Sequence, residues 1–186
     1  DDLKCGPVHL CGFSMGGYVA LRFIDMYPDL CYSLSLISTR AEADDNNAKF
    51  KRFQQCKQIQ DDKYQGFAEN YIKAVFTGKT LQSNPDVTNQ AREIVSSQDP
   101  KSACRTLLAM AARMDSNENL KKVKVPTLIM AGEEDSMIPL QCSKRMQETV
   151  PGAKVIVIPD SAHMTNLENP GIFNSSLGQF LDGIAK

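Results

Sequence analysis

The alternation of strand and helix signals at the two ends of the chain constrains the fold most strongly. The mostly apolar run at residues 7–11 predicts a buried strand. Apolar residues at helical spacing from 15 to about 27 predict a helix, and residues 33–38 predict a second strand. Strand, helix and strand in so short a stretch predict a βαβ unit with parallel strands and a right-handed crossover.

The same rhythm returns after Val125. Strands are predicted at residues 126–131 and 154–158, with a helix from Leu140 to Val150 between them. A last helix, from Phe173 to Ile184, carries its large apolar side chains on one face. The predicted fold class is therefore α/β, with a parallel sheet.

The region between these two parts has a different sequence pattern. Residues 40–119 contain no convincing strand and predict four helices, roughly at 44–60, 64–77, 86–96 and 101–114, with a break at Gly78. The last of them has an apolar stripe typical of a helix core, formed by Leu107, Leu108, Ala111 and Met114. We therefore predict a core from residues 1–40 and 120–186, with an all-helical insertion at 41–119.

Composition excludes several classes of function. The chain has 186 residues and a formal net charge of -1, which favours neither nucleic acid nor an anionic membrane as a partner. No apolar run is long enough to span a bilayer. The six cysteines are scattered, so we expect reduced thiols and a reducing, cytoplasmic location. The sequence has no metal-ligand, P-loop or dinucleotide motif, and we expect no metal and no cofactor.

The sharpest chemical motif is Gly-Phe-Ser-Met-Gly-Gly at residues 12–17, where the first strand meets the first helix. A serine on such a tight turn projects its hydroxyl above the edge of the sheet, and we expect Gly12 and Gly16 to be required by close packing. The motif predicts Ser14 as a nucleophile. The Met15 N–H would point at a developing oxyanion, and Phe13 belongs to the same predicted oxyanion and substrate-binding region.

A serine nucleophile needs a base, and the chain offers two histidines. His9 lies within the first strand, where we expect a packed or hydrogen-bonded structural side chain. His163 follows the last strand, and Ser14 follows the first. Because parallel strands end at one edge of a sheet, His163 is the predicted base.

A serine nucleophile and its histidine base need an acid as third catalytic residue. It should lie at another strand end, between the serine and the histidine in chain order. Glu133, Glu134 and Asp135 compete for this role after the strand at 126–131. A solvated acidic turn explains the two glutamates. Asp135 has a short side chain next to the following helix, and it is the predicted partner that holds the histidine tautomer.

The chain resembles α/β-hydrolases, and more narrowly the 3-oxoadipate enol-lactonase and pimeloyl-carrier-protein methyl-esterase-like hydrolases. Three stretches carry this resemblance: GFSMGGYVALRF, VPTLIMAGEEDSMIP and IPDSAHMTNLENPGIFN. A fourth, STRAEADDNNAKFKRF, resembles members of the enol-lactonase-like set. The resemblance covers nearly the whole chain. It implies Ser14, Asp135 and His163 as a triad and residues 41–119 as a cap, and it separates the chain from haloalkane dehalogenases and epoxide hydrolases, which have Asp at the elbow.

In that family, several strands and a loop that supplies a second oxyanion amide precede the nucleophile strand. The resemblance therefore corresponds to the C-terminal portion, and we expect a fragment, or a cleaved or split form that needs an N-terminal half as partner. Two functions follow. One is a cofactor-independent hydrolase of small-molecule esters, lactones or thioesters. The alternative is a catalytically silent fragment that serves as a binding or assembly module.

Overall fold

The computed structural model describes residues 6–61 and 63–184, and the chain divides into two compact units. The first unit joins the residues up to Ala41 with those from Ser116 onward, and the second spans Glu42–Asp115. The elements in chain order are β1 Val8–Phe13, α1 Met15–Met26, β2 Cys31–Ile37, α2 Asn46–Gln60, α3 Tyr64–Val75, α4 Gly78–Ser83, α5 Pro85–Ser96, α6 Pro100–Ala112, α7 Asn117–Leu120, β3 Thr127–Gly132, α8 Leu140–Thr149, β4 Lys154–Ile158, α9 Thr165–Glu168 and α10 Pro170–Asp182.

The first unit is built on a parallel sheet. Its four strands lie in the order β1-β2-β3-β4, and each strand is parallel to its neighbours. The predicted α/β class is therefore confirmed. All four strands end at the same edge, so the loops that follow them lie close together.

Apolar side chains cover both faces of this sheet, because successive residues of a strand point to opposite sides. On one face, Leu34, Leu36 and Ile129 pack with apolar residues of α1 and α8. On the other face, Leu128 and Met130 pack with α10 through Phe173 and Phe180. Burial on both faces explains why β3, TLIMAG, is almost continuously apolar in sequence. In β2 the small side chains of Ser33 and Ser35 are also buried.

The second unit is helical, and it corrects the predicted number of helices. Five helices, α2 to α6, lie in its described part, because Gly78 begins a further helix, α4, instead of only interrupting the helical pattern. The Thr77 hydroxyl caps α4 by accepting a hydrogen bond from the Thr80 N–H at 3.1 Å. A six-residue helix between two others leaves no periodic signal long enough to be recognised in sequence.

The apolar stripe predicted for the last helix of this unit is only half correct. Leu107 and Ala111 are both buried, as predicted, and Leu107 belongs to an apolar cluster with Cys56 and Ile59. Leu108 lies within α6 but is 42% exposed. Met114 is 68% exposed, because α6 ends at Ala112 and Met114 lies beyond the helical repeat. The assignment of residues 41–119 as a cap stays a prediction.

A buried ion cluster joins the two ends of the helical unit. The Asp44 carboxylate pairs with the guanidinium groups of Arg52 and Arg113, and its side chain is fully buried. Arg113 also donates to the Glu42 carbonyl at 2.7 Å. Burial works to raise the pKa of Asp44, but the hydrogen bonds and positive charges of the two arginines outweigh it, so the pKa lies below its usual value.

Two further observations concern membrane-spanning helices and the cysteines. No helix in the described residues combines the length and the apolar character that crossing a membrane requires. Cys11, Cys31, Cys56, Cys104 and Cys142 are free thiols. Cys5 lies outside the described residues.

Candidate active site

Ser14 lies in the turn between β1 and α1, and its backbone is strained. Its φ is 51°, a conformation that L-residues other than glycine rarely adopt. The Ser14 N–H donates to the Ile37 carbonyl at 2.8 Å, and its own carbonyl accepts from the Gly17 N–H at 2.9 Å. These hydrogen bonds hold the serine in a conformation that would otherwise cost roughly 1–3 kcal/mol.

Close packing at the turn requires Gly12, as predicted, but the second constrained glycine is Gly17 rather than Gly16. A Cβ on Gly12 would lie 2.6 Å from the Gly16 carbonyl oxygen. A Cβ on Gly17 would lie 2.4 Å from the Thr39 hydroxyl oxygen. A Cβ on Gly16 would meet no heavy atom within 4 Å in the described part of the chain.

His163 lies in the loop after β4, and its Nε2 is 2.8 Å from the Ser14 Oγ. Its side chain is 1% exposed, which fixes the ring in one orientation. Neighbouring groups hold the loop itself: the Ser161 carbonyl accepts from the Glu134 N–H at 2.9 Å, and the Ser161 hydroxyl donates to the Ile158 carbonyl at 2.9 Å. The structure therefore brings the predicted nucleophile and base into hydrogen-bond contact.

Asp135 is the acid that reaches the histidine. Its Oδ2 is 2.8 Å from the His163 Nδ1, and its Oδ1 accepts hydrogen bonds from the N–H groups of Met137 and Ile138, both at 2.9 Å. Glu133 and Glu134 are both exposed, as expected for a solvated acidic turn. The two backbone donors hold Oδ1 and thereby orient the Asp135 carboxylate, so that its other oxygen, Oδ2, faces the imidazole.

Met15 and Phe13 flank the serine, and their roles in oxyanion and substrate binding stay predictions. Met15 is the first residue of α1, where backbone N–H groups have no acceptor within the helix and the helix dipole is positive. Its N–H is thus available to a ligand beside Ser14. The half-buried Phe13 ring lies 5.5 Å from the His163 ring, centroid to centroid, and contributes an apolar wall next to the base.

Three residues that support this arrangement were not singled out from the sequence. The Thr39 hydroxyl donates to the Ser14 carbonyl at 2.7 Å. The Glu168 carboxylate accepts from the Ala162 N–H at 2.7 Å, and the Asn169 amide donates to the Pro159 carbonyl at 3.1 Å. Glu168 and Asn169 lie in the quoted stretch IPDSAHMTNLENPGIFN, which was the available signal. Thr39 lies in the quoted stretch STRAEADDNNAKFKRF, at residues 38–53, which was the corresponding signal for it.

His9 has the structural environment predicted for it. Its Nδ1 is 2.9 Å from the Ser33 hydroxyl, and its ring packs against Tyr32 at a centroid distance of 5.6 Å. Over residues 6–61 and 63–184, no group of three or more His, Cys, Asp or Glu side chains is arranged to hold a metal ion.

The chemistry available to this arrangement follows from its hydrogen bonds. Ser14, His163 and Asp135 form one continuous chain of three side chains on the edge where β1, β3 and β4 end. In such a chain the imidazole can accept the serine proton while the oxygen attacks a carbonyl carbon, and the carboxylate stabilises the resulting imidazolium.

Comparison with known proteins places this architecture in a family. A family model described as the alpha/beta hydrolase fold matches residues 1–170. The 3-oxoadipate enol-lactonase 1 of Acinetobacter baylyi is 27% identical over 192 residues, which cover 99% of this chain and 67% of the enol-lactonase. The pimeloyl-acyl-carrier-protein methyl ester esterase of Neisseria meningitidis is 25% identical over 185 residues, which cover 96% of this chain and 58% of the esterase.

A solved structure has a fold closely similar to that of this chain. A thermophilic esterase from Thermogutta terrifontis, with malate bound, matches with a TM-score of 0.91 and 30% sequence identity over 97% of this chain. The match covers 66% of the esterase. The chain thus spans 58% to 67% of the length of these three proteins.

Proposed function

This chain belongs to the α/β-hydrolase family, and we propose that it is a serine hydrolase that cleaves carboxylic esters, lactones or thioesters through an acyl-enzyme on Ser14. One observation carries the proposal. Two hydrogen bonds of 2.8 Å link the Ser14 hydroxyl through the buried His163 ring to the Asp135 carboxylate.

The first half of the reaction forms the acyl-enzyme. The Ser14 Oγ attacks the carbonyl carbon of the substrate as His163 Nε2 takes the hydroxyl proton. The carbonyl oxygen becomes an oxyanion, and the Met15 N–H donates a hydrogen bond to it. When the tetrahedral intermediate collapses, His163 gives its proton to the departing alcohol or thiol, and the acyl group stays on Ser14.

The second half uses the same groups with water as the nucleophile. His163 accepts a proton from water as the water oxygen attacks the acyl carbon, and then returns the proton to the Ser14 oxygen as the acid product leaves. Asp135 remains a carboxylate throughout. Its role is to keep the His163 Nδ1 protonated and to stabilise the imidazolium that forms twice per turnover.

The substrate class rests on the relatives and on the helical unit. Relatives of this chain are named as an enol-lactonase and as esterases, which supports carbonyl substrates with an oxygen leaving group. The helical unit carries exposed apolar side chains, among them Phe50 at 62% and Met114 at 68% exposure. We assign this unit as the cap that selects substrates with an apolar acyl or alcohol group.

A substrate panel tests the proposal in the full-length protein. We expect turnover of at least one short aryl ester, aliphatic lactone or acyl thioester, and none above background with Ser14→Ala. Ser175→Ala is the matched control, because Ser175 is an exposed serine of α10 whose hydroxyl donates to the Ile172 carbonyl, away from the candidate site. Equal activity of wild type and Ser14→Ala would contradict the proposal, and a wild type that cleaves none of the panel would favour a binding or assembly module.

A further inference from the structure

We propose that Thr39 is a positioning residue that sets the orientation of the oxyanion-binding Met15 N–H. The proposal rests on the function proposed above and adds a specific role for a side chain outside the Ser14–His163–Asp135 chain. Thr39 touches none of the reacting atoms. It acts through the backbone of the nucleophile turn.

The contact is short and buried. The Thr39 hydroxyl donates to the Ser14 carbonyl oxygen at 2.7 Å, and Thr39 is 1% exposed. A hydrogen bond shielded from water in this way does not exchange with solvent, and its geometry is held by the surrounding packing. The Thr39 side chain also fills the space next to Gly17, where an added Cβ would meet its hydroxyl oxygen, methyl and Cβ at 2.4 to 2.6 Å.

The accepting carbonyl belongs to the peptide group that carries the Met15 N–H. Because the peptide group is planar, fixing the Ser14 C=O also fixes the direction of the Met15 N–H on its opposite side. A hydrogen bond to the carbonyl also polarises the peptide group, which makes its N–H a stronger donor. Thr39 therefore acts on both the orientation and the strength of the proposed oxyanion donor.

The end of β2 holds the peptide groups on both sides of Ser14. The Ile37 carbonyl accepts from the Ser14 N–H at 2.8 Å, and two residues later Thr39 donates to the Ser14 carbonyl. Ser38 lies between them with a φ of 46°, which turns the chain out of the strand and directs Thr39 towards the turn. The Gly17 N–H is a second donor to the same carbonyl, so the loss of the Thr39 hydroxyl does not leave that carbonyl unpaired.

The test compares two variants of the full-length protein. Thr39→Val removes the hydroxyl and keeps the shape, whereas Thr39→Ser keeps the hydroxyl and removes the methyl. For an aryl ester, we expect Thr39→Val to lower kcat by about tenfold, the effect of one buried hydrogen bond, with KM nearly unchanged. Thr39→Ser should retain most of the wild-type kcat.

A second readout separates oxyanion positioning from a general structural effect. Benzyl trifluoromethyl ketone forms a tetrahedral adduct with an oxyanion, whereas 2-phenylethanol is uncharged, has no carbonyl group and forms no such adduct. Thr39→Val should weaken inhibition by the ketone by about the same factor as it lowers kcat, because both depend on the oxyanion donor. Inhibition by 2-phenylethanol should stay the same. If Thr39→Val does not fold, as judged by thermal melting, Thr39→Ala replaces it in the comparison with Thr39→Ser.

The outcomes distinguish the two proposals. An active wild type whose Thr39→Val variant keeps its kcat and its affinity for the ketone overturns the role of Thr39 alone. Equal weakening of inhibition by the ketone and by 2-phenylethanol also overturns it, because that pattern indicates a general distortion. A wild-type protein that neither hydrolyses an ester nor binds the ketone overturns both this role and the proposed function.

Discussion

Ser14, His163 and Asp135 come from three different strand ends, yet they share one line of hydrogen bonds. His163 contacts both partners at 2.8 Å, so a displacement of its ring would disturb both hydrogen bonds. Its ring is almost fully buried, and Asp135 is 6% exposed. At the scale of single residues, we therefore expect the proposed mechanism to depend on the three side chains as one unit and not on three independent contributions.

The first prediction concerns that unit. Ser14→Ala and His163→Ala should each lower kcat for an aryl ester by about a thousandfold or more, and the double variant should be little worse than either. Steady-state kinetics on the full-length protein measure this, with thermal melting to confirm that each variant is folded. Losses that multiply in the double variant would show that the two side chains act separately.

The second prediction concerns the acid. Asp135→Asn preserves the shape of the side chain but favours the wrong histidine tautomer, and kcat should fall by about ten-thousandfold. Glu134→Gln is the control from the same turn: Glu134 is exposed, and its side chain does not contact His163, so activity should remain. An inactive Glu134→Gln with an active Asp135→Asn would reverse our choice of acid.

At the scale of elements, the nucleophile turn depends on the close approach of α1 to β1. A side chain at Gly12 would collide with backbone atoms of Gly16 and Gly17, which cannot rotate away as a flexible side chain would. The Gly16 position is open within the described residues. Gly12 and Gly16 belong to one motif, but a side chain at Gly12 should cost more stability than one at Gly16.

A third prediction follows from this contrast. Gly12→Ala should lower the free energy of unfolding by about 3 kcal/mol, since overpacking against fixed backbone forces α1 and β1 apart. Gly16→Ala should change stability by less than about 1 kcal/mol. Chemical denaturation of the two variants tests this directly, and equal losses would contradict the packing account.

The ion cluster of the helical unit gives a fourth prediction, for pH dependence. Asp44 has a lowered pKa in the folded state, so its contribution is complete above the usual Asp value of about 3.9 and is lost as pH falls through the folded-state value. Asp44→Asn should lower the free energy of unfolding by about 3 kcal/mol at neutral pH, because it breaks a buried pair. The difference from wild type should shrink as pH falls below about 4.

The control for this experiment is the exposed pair Arg92–Glu69 in the same unit. Its side chains are 34% and 44% exposed, so Glu69→Gln should cost less than about 1 kcal/mol at any pH. Denaturant unfolding at several pH values measures both variants. A difference between wild type and Asp44→Asn that stays constant with pH would contradict the role of the Asp44 charge.

At the scale of the whole molecule, β1 lies at the edge of the sheet. It pairs with β2 on one side and with no other strand in the described part of the chain. Its sequence, VHLCGF, contains none of the charged residues or prolines that protect natural edge strands. Several large apolar side chains near this edge are also exposed, including Val19 at 63% and Tyr32 at 49%.

The fifth prediction is that the 186-residue chain, produced on its own, self-associates through β1. Size-exclusion chromatography with light scattering should show species larger than a monomer. Cys11→Lys places a charge at an exposed position of β1 and should shift the protein towards monomer. A wild-type chain that is a monomer and melts cooperatively would contradict this prediction.

The sequence predicted those parts of the site that depend on local pattern and chain order. The strand–turn–helix context identified Ser14, and the rule that parallel strands end at one edge identified His163 and Asp135. The structure brings these three together, while their catalytic roles stay predictions. Thr39 and Gly17 lie in stretches that the sequence analysis quoted, but their contact escaped prediction because it joins residues that are distant in sequence. The six-residue α4 escaped because it is too short to leave a periodic signal. The exposure of Leu108 escaped because helical periodicity does not specify which neighbours are present.

The central claim is that Ser14 is an activated nucleophile, and reaction with a fluorophosphonate probe tests it most directly. The full-length protein should be labelled at one residue, and peptide mapping by mass spectrometry should place the label on Ser14. Labelling should disappear in Ser14→Ala and become far slower in His163→Ala, because an unactivated serine hydroxyl reacts poorly. A folded full-length protein that is not labelled, or that carries the label on another residue, would contradict the account.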